Sequence, residues 1–108
     1  MRSVLLLAAS ALVLAACGAP LPERLPDAVG EAAAVATDGD AVEIAFVPDV
    51  GHEYFEGTTF VVDGAVPVAG AVDDAAEISA GDRLAVWVTV CAESFPVQCD
   101  VEAVRVEE

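Results

Sequence analysis

Arg83-Leu84-Ala85-Val86-Trp87-Val88-Thr89-Val90-Cys91 is the stretch whose reading decides the fold. In an extended chain Leu84, Val86, Val88 and Val90 fall on one face, and Ala85, Trp87, Thr89 and Cys91 on the other. With Trp87 on the second face, both sides of this strand are expected to be covered, as in a central or barrel strand. Outward from it, Cys99 to Val106 reads as the last strand, with a slip in alternation near Ala103-Val104 that signals a bulge. Upstream, Thr58 to Val62 is β-branched and aromatic and reads as a strand. Asp63-Gly64 marks a turn after it, and Ala65 to Val68 reads as a short return strand.

Earlier still, Asp38-Gly39-Asp40 joins Ala32 to Thr37 and Ala41 to Val47 as a hairpin, with Val42, Ile44 and Phe46 sharing one face of the second arm. Glu31-Ala32-Ala33-Ala34 has high helix propensity, which leaves a short helix open there. Gly70 to Gly81 reads as a loop with room for one helical turn around Asp74 to Glu77. Five or six short strands with close turns imply an all-β fold, an antiparallel barrel or a small β-sandwich.

The chain has 108 residues, with 19 Asp and Glu against four Arg and no Lys, a formal net charge of -15. Nucleic acids and anionic lipid surfaces are held through clustered basic side chains, so this composition argues against a nucleic-acid partner. The acids are scattered along the chain, as on a solvated surface.

Met1-Arg2-Ser3 precedes an apolar run from Val4 to Ala16 that is interrupted only by Ser10. As a helix this run would measure about 20 Å, short of the roughly 30 Å hydrocarbon core, so it reads as a signal peptide over residues 1–16. Leu14-Ala15-Ala16-Cys17 resembles the lipobox of bacterial lipoproteins. The resemblance implies recognition of Leu14, Ala15 and Ala16 by a lipoprotein signal peptidase, and acylation of Cys17 as the first residue of the mature chain. Two or more acyl chains hold a protein stably on a bilayer. Residues 17–30 carry Pro20, Pro22 and Pro26 and read as an extended tether of about 40 Å reach, on which Leu21 and Leu25 are available to dock. The domain proper is expected over residues 31–108.

Of the three cysteines, acylation would consume Cys17 and leave Cys91 and Cys99 as a pair flanking Ala92 to Gln98. A disulfide between them is expected on the extracytoplasmic side of a membrane. Closing a loop of about nine residues contributes roughly 2.5 kcal/mol in the chain-entropy description. Redox catalysis is disfavoured, because catalytic dithiols lie closer in sequence, at a helix N-terminus.

The segment Gly81-Asp82-Arg83-Leu84-Ala85-Val86-Trp87-Val88, followed by Ala92-Glu93-Ser94-Phe95-Pro96-Val97-Gln98 and the final Val-rich strand, resembles small bacterial secreted and lipoprotein domains of the YobA-like type. The resemblance covers about the last 30 residues. It implies an OB-like five-stranded barrel and passes on no activity. Phe95 stands where the family more often has Tyr, and the flanking cysteines are a further departure.

His52 is the only histidine, and Asp49, His52, Glu53 and Glu56 are the nearest approach to a metal-ligand cluster. Their spacing fits neither a zinc site nor a calcium loop, and zinc held by Cys91, Cys99 and His52 conflicts with an oxidising compartment. No metal or cofactor is expected. His52 could approach Ser94 across the fold, but there is no nucleophile elbow and no sign of an oriented base or an oxyanion hole, so no catalytic residue is assigned and no enzyme activity is expected. Trp87, Phe95 and Tyr54 are the residues from which a ligand surface could be built, although core packing is the favoured role for Trp87. The expectation is a non-enzymatic envelope interaction module, lipid-anchored through Cys17 on the extracytoplasmic face of the cell membrane or outer membrane. Its partner would be an envelope protein or small ligand. The alternative is an accessory lipoprotein that binds a ligand or a divalent cation.

Overall fold

The computed structural model describes residues 21–108. Leu14, Ala15, Ala16 and Cys17 lie outside the described residues. The fold is all-β, built from β1 (Ala28–Asp38), β2 (Ala41–Pro48), β3 (Thr59–Val62), β4 (Val68–Gly70), β5 (Arg83–Ala92) and β6 (Gln98–Val106). They form one sheet in the order β3-β2-β1-β5-β6-β4. Among the described residues no helix is long and apolar enough to cross a membrane.

The β1–β2 hairpin turns through Gly39-Asp40, with Asp38 directly opposite Ala41. Gly39 adopts φ +67° while among the described residues no non-glycine has positive φ, as in a two-residue turn with Gly at its first central position. The Ala-rich run that left a helix open is part of β1. Ala28 and Ala32 are fully buried, and pairing with β2 and β5 outweighs a helix preference of a few tenths of a kcal/mol per residue. The start of β1 at Ala28 also takes the last three residues of the expected tether into the sheet.

Beside β5 only Ala28 to Glu31 of β1 is paired, and the register with β2 shifts between Ala32 and Ala34. Such a bulge bends a strand and increases its twist, so the β1–β2–β3 half swings over the β5–β6 half. Gly30 sits where β1 and β2 press close together: a Cβ there would lie 2.2 Å from the Val47 carbonyl oxygen. Between the two halves, Val42, Ile44, Phe46, Phe60 and Val62 pack against Leu84, Val86, Val104 and Val106 as one buried core. Phe46 and Phe60 meet edge to face at a centroid distance of 5.0 Å.

The sheet does not close into a barrel. Its edge strands are β3 and β4, and the folded-over sheet fits the small sandwich arrangement. Nor is it wholly antiparallel. The segment after Asp63-Gly64 does not return along β3: β4 pairs parallel with β6, Val68 opposite Val104 and Gly70 opposite Val106. Asp63 closes the turn by accepting the Ala65 N–H on its side chain and the Val66 N–H on its backbone. Pro67 has no N–H to give to a ladder, and its carbonyl instead accepts the Val104 N–H, which commits the chain to β6.

Both faces of β5 are covered, as its pattern requires. Leu84 and Val86 face the main core, while Ala85 and Trp87 join Ala103 in a second, smaller cluster on the outer face, against which Leu21 packs. The expected alternation fails beyond Val88. Two register shifts between β5 and β6 bring Cys91 inward against the main core and turn Val90 out to solvent. The bulge on β6 falls at Glu102, one residue before the expected place.

Candidate functional site

Cys91 and Cys99 are directly opposite in the β5–β6 ladder, and their sulfurs are bonded at 2.03 Å. The bridge closes the loop Glu93 to Val97, whose shape is set from within. The Ser94 hydroxyl donates to the Pro96 carbonyl at 3.0 Å, and the Phe95-Pro96 peptide is cis. From across the fold, Thr58, the one buried polar residue among the described residues, donates its hydroxyl to the Val97 carbonyl at 2.9 Å and is thereby satisfied. Tyr54 donates its hydroxyl to Glu93 at 2.8 Å. Glu93 prefers the protonated phenol, so this bond holds the Tyr54 ionisation above its ordinary value. Phe95 is 95% exposed and Tyr54 54% exposed, so these two expected surface aromatics are available on the tethered loops.

Trp87 is not available with them. It is 1% exposed and covered by residues 21–27, the packed role favoured for it, so of the three aromatics only Tyr54 and Phe95 are left at the surface. Its indole N–H donates to the Arg24 carbonyl at 2.8 Å, and the Arg105 guanidinium lies over its ring at 5.5 Å from the centroid.

Where the sheet stays open, a groove of about 890 Å³ runs between β3 and β6. The Phe46 N–H bonds to the Thr58 carbonyl, so ladder alternation turns the backbones of Phe60 and Val62 toward β2 and those of Thr59 and Val61 toward the free side. On the opposite bank β4 pairs only with Val104 to Val106, which leaves Gln98 to Glu102 without a neighbour on that edge. Val61, Val90 and Val101 give the groove apolar surface, and Glu43, Asp63 and Asp100 give it negative charge. Among the described residues that line it none is basic. Its features are a mostly polar surface with a few apolar side chains, strand-edge donors and acceptors, and acidic side chains.

The other candidate residues are occupied separately. Asp49 is paired with Arg83, and the guanidinium holds its carboxyl below the ordinary carboxylate range. Glu53 accepts the Gly51 N–H at 3.0 Å on both oxygens, which lowers its pKa as well. His52 uses Nδ1 against the Asp27 carbonyl at 3.2 Å. With its hydroxyl committed within its own loop, Ser94 has no hydrogen bond to His52. Among the described residues no three His, Cys, Asp or Glu are gathered as a metal ion would require. A smaller depression of about 320 Å³ is lined by Asp40, Asp63, Asp73 and Asp74, of which Asp63 and Asp74 already accept backbone N–H groups.

The groove was not foreseen from the sequence, because it results from failed closure between strands far apart in the chain. Pro67, which stops the return strand, is the one local signal for it. No family model, curated protein or solved structure matches the chain.

Proposed function

We propose that this protein is a lipid-anchored, non-enzymatic module of a bacterial envelope, held on the extracytoplasmic side of the cell membrane or outer membrane by acyl chains on Cys17. In this reading its open groove takes an extended segment of another envelope protein. The lipobox-like Leu14-Ala15-Ala16-Cys17 supports the anchor. The Cys91–Cys99 bridge is consistent with it, since it leaves Cys17 as the one cysteine outside a disulfide. The resemblance to YobA-like domains implied a five-stranded OB-like barrel, from which the open six-stranded sheet departs, and it adds no mechanism.

The observation that carries the interaction reading is the groove, with the free side of β3 on one bank. A strand edge offers main-chain hydrogen bonds to an extended segment, and alternate side chains of that segment can enter apolar positions. Glu43, Asp63 and Asp100 select for Lys or Arg on the remaining positions. Catalysis has less support: Ser94 and His52, the two groups nearest to a catalytic pair, are hydrogen-bonded to backbone carbonyls of different segments.

A photo-crosslinking amino acid at Val61, which lines the groove, tests this in cells, with Val47 on β2 as an exposed control away from it. A discrete crosslinked partner at position 61, absent at position 47 and lost on Asp100→Arg, is the expected result. Identical patterns at both positions would remove the groove from the proposal.

A further inference from the structure

Residues 21–27 were expected to be part of a spacer, yet they form a strap bound along the outer face of β5 and β6. Leu21 packs against the Trp87 cluster, and the Trp87 indole bonds the Arg24 carbonyl. The Arg24 guanidinium donates to the Val88 carbonyl at 3.0 Å and to Glu102 at 2.8 Å. Asp27 accepts the Val88 N–H at 2.8 Å on its carboxylate, and its own N–H bonds the Val86 carbonyl at 3.0 Å. The strap is fixed at both ends.

Only four residue steps separate Cys17 from Leu21, and a fully extended chain covers at most about 14 Å over them. If Cys17 lies at the bilayer, the strap lies there too. From these constraints we infer that the strap is the membrane-facing side of the domain and that Leu25 enters the bilayer interface. This rests on the reading that Cys17 is acylated.

Two properties of the strap face fit that occupant. Leu25 is 86% exposed while Leu21, Arg24 and Asp27 of the strap are engaged with the domain, so an apolar side chain projects from the segment leading to the anchor. The face also carries Arg24 and Arg105, two of the three arginines among the described residues, paired with Asp27, Glu102 and Glu107. Two arginines against Glu23, Asp27, Glu102 and Glu107 leave this face with an excess of two negative charges, whereas the rest of the described residues set fifteen acids against Arg83 alone, so this face is the one an anionic bilayer repels least.

Leu25→Cys and Phe95→Cys variants of the acylated protein test the inference. Position 95 is the control because it holds the most exposed aromatic side chain of the described residues. With Cys91 and Cys99 oxidised and Cys17 acylated, each variant has a single free thiol for an NBD fluorophore. On reconstitution into phosphatidylethanolamine–phosphatidylglycerol vesicles, the label at position 25 is expected to brighten at least about threefold as it enters the interface, and to be quenched by headgroup spin-labelled lipid. The label at position 95 should keep its aqueous emission. No response at position 25, or an equal response at position 95, in protein that floats with the vesicles would overturn the inference and leave the anchor intact. Protein that does not float would overturn both.

Discussion

The indole N–H of Trp87 donates to the backbone carbonyl of Arg24 across 63 positions of sequence, at 2.8 Å. This bond joins the segment leading from the expected anchor to the strand that organises the sheet. It makes the domain begin at the strap rather than at the first strand, and it turns the aromatic face of β5 inward under the protein's own chain.

Strap removal should therefore be visible at Trp87, the only tryptophan. Asp27→Ala removes the acceptor of the Val88 N–H and one partner of Arg24. Loss of such an acceptor at a part-buried site costs about 1 kcal/mol. The Trp87 emission should shift to the red and become more accessible to acrylamide, while far-ultraviolet dichroism keeps its strand signature. Unchanged emission and quenching would show that the strap does not depend on this carboxylate.

Reduction of the Cys91–Cys99 bridge should lower stability without dissolving the fold. The loop-closure contribution is about 2.5 kcal/mol, and the cystine also packs against the main core. Urea unfolding with and without reductant measures the difference. A midpoint unchanged by reduction would contradict the role given to the bridge.

Tyr54 is the only tyrosine, so alkaline absorbance titration reports on it alone. Its hydrogen bond to Glu93 raises the folded-state pKa above the ordinary 10.0. The contribution is thus complete below the unfolded value and is lost as pH rises through the raised one. The midpoint should lie above 10.0 in the native protein and fall toward it in Glu93→Gln. Equal midpoints would mean that the Tyr54–Glu93 bond does not hold the two loops together in solution.

Gly30 and Gly64 make a contrast in close approach. A Cβ at Gly30 meets the Val47 carbonyl at 2.2 Å, whereas one at Gly64 has nothing within 4 Å. Gly30→Ala should destabilise by at least about 2 kcal/mol by forcing β1 from β2, and Gly64→Ala should stay within about 0.5 kcal/mol. Denaturant midpoints compare the two directly.

Local pattern was sufficient to place β2, β5 and β6, whose covered faces are read out by alternation with period two, and Asp38-Gly39-Asp40 marked the β1–β2 turn. The Cys91–Cys99 pairing followed from the resemblance at Cys17 and from cysteine parity. Pairing choices between distant segments were not legible. Around Asp63-Gly64 only Pro67 argues against a return to β3, and nothing local names β6 as the alternative, while the Ala-rich start of β1 becomes a strand only because two neighbours pair with it. The phase of β5 beyond Val88 depended on bulges that change which residue of a run faces inward. At the candidate site, Phe95 and Tyr54 were identifiable as aromatics in polar loops. The groove depended on closure, and the burial of Trp87 depended on a strap whose docking residue, Leu21, does not differ in type from the exposed Leu25.

The most direct test of the account is the intact mass of the protein extracted from membranes of cells that express the full chain. The account predicts residues 17–108 carrying acyl chains on Cys17, with Cys91 and Cys99 two hydrogens short of the dithiol. A membrane-extracted chain that begins at Cys17 without acyl mass, or that retains residues 1–16, would contradict it.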